Sequence, residues 1–265
     1  MKLAPAIFTG LIGIMALAAK ASELGDSALR QIRFDQKINA QIPLDATFRD
    51  ETGKTVRLGN YLGKKPVVLV LGYYGCPMLC TLVLNGLVET MQDLKMDIGN
   101  QFDVLDVSIS PTETPQLAAA KKREYLRHYG RPGAEAGWHF LTGGEPAIRQ
   151  LSDAVGFHYA YDSAMKQYAH PSGFIVLTPQ GKVSRYFFGV NFRGQELNDA
   201  LRDAAVNRAG SPIRQLFLLC FHYSPVTGKY GGLIIGGIRG IGIATLLALA
   251  VFVTRSVRSD HKLRP

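Results

Sequence analysis

Residues 66–72 read Pro66-Val67-Val68-Leu69-Val70-Leu71-Gly72, a continuous apolar and β-branched run. Such a run predicts a central strand covered on both faces. A turn containing Gly and Cys follows over 73–77. From 78 to 96 apolar residues recur at helical spacing (Leu79, Leu82, Val83, Leu87, Met91, Leu94), which predicts a helix that starts at the cysteines. A second buried strand is predicted over 102–109. A helix over 114–129 is opened by Thr114-Pro115, with the proline in its first turn. A short strand over 139–141 and a helix over 145–155 come next. Residues 174–178 and 183–188, joined by Pro179-Gln180-Gly181-Lys182, read as a hairpin, and 195–207 as a closing helix. Ahead of all these, the chain is strand-like from 41, with a hairpin turn over 50–54. Residues 22–40 form a polar arm with a short helix around 27–36. Strand–helix–strand–helix, then hairpin and helix, predicts an α/β sandwich whose central mixed sheet is flanked by helices.

The two ends follow a different pattern. Met1-Lys2 is a short basic start, 3–19 is apolar, and Ala19-Lys20-Ala21 has the small-x-small form of a signal-peptidase site. A signal peptide is therefore expected over 1–21. Near the C-terminus, 233–253 is apolar except for Arg239, long enough to cross about 30 Å of hydrocarbon. Arg239 lies near the start of this run, where its side chain can reach the interface. Arg255, Arg258, Lys262 and Arg264 follow at once, which places the tail in the cytoplasm. The expected layout is a signal peptide (1–21), an arm (22–39), a folded domain (40–209), a juxtamembrane segment (210–232), a transmembrane helix (233–254) and a basic tail (255–265). The protein is then a single-pass protein of the inner (cell) membrane, with its domain on the periplasmic or extracytoplasmic side.

Charge changes the picture less than its total suggests. The 265 residues carry a formal +9, but seven of the 30 basic residues lie in the N-terminal segment, the apolar run or the tail. The middle is left with a net charge of about +3 and no long basic run, so a nucleic-acid role loses its electrostatic basis. With 47% hydrophobic residues the chain is too apolar to be disordered.

Three cysteines, Cys76, Cys80 and Cys220, are too few for a disulfide scaffold. Cys76 and Cys80 stand four apart where a strand ends and a helix begins. They therefore share a helical face, and the positive helix N-terminus favours thiolate. Three uses stay open on spacing alone: a structural disulfide, a redox dithiol and a soft-metal site. Two thiolates select Cu(I), zinc or iron–sulfur. Zinc and clusters usually need four protein ligands, whereas Cu(I) accepts two or three soft donors. A peroxidatic Thr-x-x-Cys is lacking, because Tyr73 stands three before Cys76.

The cysteine segment Gly72-Tyr73-Tyr74-Gly75-Cys76-Pro77-Met78-Leu79-Cys80 resembles the cysteine loop of the Sco/SenC family, thioredoxin-like copper proteins of cytochrome c oxidase assembly. Three further stretches resemble the same family: Val107-Ser108-Ile109-Ser110-Pro111-Thr112-Glu113-Thr114-Pro115, Gly137-Trp138-His139-Phe140-Leu141-Thr142-Gly143, and Tyr168-Ala169-His170 ahead of the last hairpin. The resemblance covers about 40–205. It implies a thioredoxin-like fold, copper as Cu(I) or Cu(II) on Cys76, Cys80 and His170, and a copper acceptor such as the copper-site subunit of cytochrome c oxidase as partner. The chain departs from the family where Ala169 and Ser110 replace common aspartates and where Pro171 directly follows the histidine. The implied function is a membrane-tethered copper metallochaperone rather than an enzyme. The alternative is a thiol–disulfide oxidoreductase, with Cys76 and Cys80 as its redox pair, that keeps an acceptor's cysteines reduced. His139, His158 and His128 read as structural, and Met78 as a packing residue. Cys220 and His222, just before the expected membrane span, form a Cys-x-His pair of open role.

Overall fold

A computed structural model describes residues 32–75, 79–163 and 166–210, without the side chains of Leu79 and Cys80, together with the helical positions Gly242 and Thr245. The strands are β1 (Arg33–Phe34), β2 (Thr47–Arg49), β3 (Thr55–Arg57), β4 (Val67–Gly72), β5 (Asp103–Ser108), β6 (Trp138–Leu141), β7 (Phe157–His158), β8 (Ala160–Asp162), β9 (Gln167–Ala169), β10 (Gly173–Leu177) and β11 (Val183–Phe188). The helices are α1 (Leu79–Gln92), α2 (Pro115–Tyr129), α3 (Glu145–Ala154) and α4 (Gly194–Ala205).

The central sheet has the order β11-β10-β4-β5-β6. Its β4, β5 and β6 run parallel, and β10 and β11 are antiparallel additions on the β4 edge. All six residues of β4 are buried, as the unbroken apolar run requires of a strand covered on both sides. Strand alternation sends Val68, Val70, Val104 and Phe140 to one face, where α1, α2 and α4 supply Leu87, Met91, Tyr125 and Leu201. Val67, Leu69, Leu71, Leu105 and Val107 point to the other face, against Phe48, Ile148 and Leu151. Each such buried side chain contributes about 1.5–3 kcal/mol relative to exposure.

Local chemistry sets several element ends. Thr114 caps α2 by accepting the backbone N–H of Leu117, and Gly130 closes the helix in the left-handed region at φ 74. Other ends are set from a distance. The 78–96 periodicity predicts a helix to Met96, but α1 stops at Gln92. The Arg131 guanidinium donates to the carbonyls of Gln92, Leu94 (2.8 Å) and Met96 (3.3 Å), so it caps carbonyls that a continuing helix would have used.

One expectation for the connecting segments is corrected, and one unassigned stretch is filled. The arm is not helical at Arg33–Phe34, which forms β1 and pairs with β7. Phe34 packs edge-on against Phe157, Tyr186 and Phe188, and His158 Nε2 sits 2.7 Å from the Asp35 carboxylate. Packing of the half-buried Phe34 ring outweighs the local helical preference. The stretch between α3 and β10, to which the hydrophobic pattern assigns no element, holds β7 and the β8–β9 hairpin. Among the described residues no helix is long and apolar enough to cross a membrane. The signal peptide expected over 1–21 lies outside the described residues, and so does the span expected over 233–254, apart from Gly242 and Thr245.

Candidate metal centre

The sheet register brings the late histidine to the cysteine turn. β10 pairs antiparallel with β4, and Phe174 stands opposite Val70. The segment leading into β10 therefore lies beside the segment leading out of β4. His170 belongs to the first and Tyr73 to the second, and their rings are 6.2 Å apart, edge to face. Phe157 flanks His170 on another side at 5.8 Å, and His170 is only 8% exposed. Its Nδ1 lies 2.9 Å from the Pro171 carbonyl oxygen, which can only accept. Nδ1 thus carries the proton, and the lone pair of the neutral ring belongs to Nε2.

Of the residues expected to bind metal, His170 is described in full. Cys80 is described only as part of the first turn of α1, and Cys76 lies outside the described residues, as do Met78, Cys220 and His222. His170 nevertheless lines one small cavity of about 20 Å³ with Gly72, Tyr73 and Tyr74 from the end of β4 and Thr81 from the first turn of α1. The histidine and the two segments that flank the cysteine turn therefore converge. Among the described residues no group of three or more His, Cys, Asp and Glu could hold a metal ion.

A feature without a sequence-derived role holds the approach to Cys76. Glu113, in the connection from β5 to α2, accepts the backbone N–H of Tyr74 on Oε2 (2.8 Å) and that of Gly75 on Oε1 (2.7 Å). Ser108 donates its hydroxyl to Oε2 at 2.5 Å. Tyr74 is buried, and its hydroxyl reaches two strand carbonyls. The segment 107–115 was legible as a family-like stretch. That its glutamate turns back onto the cysteine turn was not.

Below the turn, Asp106 is 1% exposed, and its Oδ2 has no hydrogen-bond partner among the described residues. Burial, reinforced by the nearby Glu113 charge, pushes its carboxyl well above the usual carboxylate range. Ser110 is buried and bonds with Thr112 at 3.0 Å. His139 and His158 take part in carboxylate pairs with Glu51 and Asp35, in line with their structural reading.

A family model described as SCO1/SenC matches residues 36–205. The chain belongs to this family. No curated protein matches the sequence. A structure described as a candidate electron transfer protein from Aquifex aeolicus VF5 aligns at a TM-score of 0.57 with 25% identity, covering 67% of this chain and 98% of that one. BsSco, described as a member of the Sco family of cytochrome c oxidase assembly proteins with a disulfide switch, aligns at 0.50 with 19% identity over 66% and 99%. Arabidopsis thaliana ScoI with copper bound aligns at 0.49 with 20% identity over 67% and 99%. At 19% identity the likeness to BsSco is one of fold. The Sco-like part of the chain is the domain that carries the cysteine turn and His170.

Proposed function

We propose that this Sco-family chain is a copper metallochaperone with a thioredoxin-like domain over 40–209. Cys76 and Cys80 supply two thiolates, and His170 supplies its Nε2 lone pair. The ion is cargo and leaves by exchange onto the ligands of an acceptor, the copper site of cytochrome c oxidase. The observation that carries this reading is the placement of a buried, tautomer-fixed histidine against the two segments that flank the cysteine pair. The donor set fits the cargo: two soft sulfurs and one imidazole suit Cu(I), and the imidazole also tolerates Cu(II). The sequence pattern further supports a signal peptide over 1–21 and a tether over 233–254, with the domain on the extracytoplasmic side of the cell membrane.

The test is an anaerobic titration of the reduced full chain with Cu(I) against a competing chelator. It uses a Cys220→Ser background, with and without His170→Ala. The expected result is one tightly held Cu(I) per chain, weakened about tenfold or more by His170→Ala, a difference of roughly 1.4 kcal/mol or more. Weak binding indifferent to His170, together with rapid disulfide exchange by Cys76 and Cys80, would instead identify a thiol–disulfide oxidoreductase. In that reading Cys76, nearer the helix start along the sequence, is the attacking thiol, because a helix N-terminus favours thiolate.

A further inference from the structure

The geometry points to Glu113 as the positioning residue of the cysteine turn, an inference that rests on the copper reading above for its functional meaning. Sheet pairing by β4 ends at Gly72, whose carbonyl accepts the N–H of Ile109 at 2.7 Å. The N–H groups of Tyr74 and Gly75 follow that end and need other partners. Both oxygens of a single carboxylate meet them, at 2.8 and 2.7 Å. Two bonds from successive N–H groups to one rigid carboxylate fix two peptide planes, and with them the direction in which the chain leaves for Cys76.

The carboxylate is itself held. Ser108, the last residue of β5, donates to Oε2 at 2.5 Å, and Thr114, the next residue, is the N-cap of α2. At Gly75 a Cβ would stand 3.3 Å from Oε1, a close approach that suits glycine. Among the described residues no cationic side chain pairs with Glu113. Three neutral donors hold its charge, two of them the backbone groups just before Cys76. Charge-assisted bonds of this kind are among the stronger ones. A site for a soft ion needs its donors held in place, and bonds to the backbone that leads to a donor serve that end.

The test uses the full chain in the Cys220→Ser background. Glu113→Asp keeps the charge and shortens the reach by one methylene, so one carboxylate no longer serves both N–H groups and Ser108. Glu113→Gln keeps the length but presents one acceptor oxygen and one amide. Two quantities are read: Cu(I) affinity by chelator competition, and the ratio of alkylation rates of Cys76 and Cys80 by mass spectrometry without copper. Circular dichroism establishes that each variant is folded. Both variants are expected to lose about tenfold or more in Cu(I) affinity and to change the alkylation ratio. Wild-type affinity and ratio in both would overturn the assignment. So would a loss confined to Glu113→Gln, because charge alone would then suffice. If the wild-type chain holds no copper while the ratio still shifts, the copper reading fails and the positioning role stands. Should both variants fail to fold, Ser108→Ala decides: an altered alkylation ratio supports the role, and an unchanged one overturns it.

Discussion

The Tyr74 hydroxyl donates to the backbone carbonyl of Asp106 at 2.9 Å, and it lies 2.8 Å from the carbonyl of Leu141 as well. One side chain from the segment before Cys76 is thereby tied to both β5 and β6. Burial, then the charges of Asp106 and Glu113, hold the phenol well above its ordinary range, so it stays a donor. Tyr74→Phe keeps the ring and removes the bonds. It is expected to cost about 1–3 kcal/mol, seen as a lower urea midpoint with an unchanged slope. A wild-type midpoint would show that the hydroxyl contributes nothing net.

Glu51 sets an acid limb. It bonds with the Lys122 ammonium, lies 3.6 Å from His139 Nδ1 and accepts the Phe140 N–H at 3.1 Å. Burial by itself would raise its carboxyl, but bonding to His139 and Lys122 outweighs this and brings it down to about 2. A carboxyl depressed in the folded state stabilises above its unfolded pKa, and that stability is lost as pH falls toward about 2. Thermal melts of Glu51→Gln should therefore lack part of the wild-type decline across that acid range. Parallel declines in both proteins would remove Glu51 from the acid response.

Asp106 has the opposite sign. Its carboxyl is raised in the folded state by burial and the Glu113 charge, so folded protein retains a proton that the unfolded chain gives up. Stability from this group is present at low pH and lost as pH rises above the unfolded value toward the folded one. Asp106→Asn, of nearly the same shape, cannot titrate. Its melting temperature relative to wild type should rise between pH 4 and neutrality, an ordinary carboxyl starting to ionise near about 3.9. A difference that stays flat with pH would contradict this.

Gly86 lies within α1, where replacing glycine by alanine would ordinarily add about 1 kcal/mol of helix stability. A Cβ there would fall 1.9 Å from the Val190 carbonyl oxygen. The connection from β11 to α4 is also held by Phe192, whose ring packs 4.6 Å from that of Phe174. Gly86→Ala must displace this connection, and it should destabilise by about 1–3 kcal/mol. Any gain in melting temperature would show that the loop yields freely.

What the sequence by itself determined is local or repetitive. β4 was readable because its burial is written in consecutive apolar residues. The start of α2 was readable because Thr114 and Leu117, which form its cap, are three residues apart. The paired cysteines were readable as soft donors from residue type and spacing, whereas the late histidine was readable only through the resemblance of its stretch to the Sco/SenC family. Tertiary structure alone decided what depends on distant partners. β1 exists because Phe34 packs against rings more than a hundred residues away, α1 ends where Arg131 reaches its carbonyls, and Glu113 meets N–H groups 38 and 39 residues earlier. His170 reaches the cysteine turn only because antiparallel pairing of β10 on β4 places the entry of one strand beside the exit of the other. Chain-neighbour interactions leave their pattern in the sequence, whereas bonds closed across long loops depend on the packed sheet that brings their ends together.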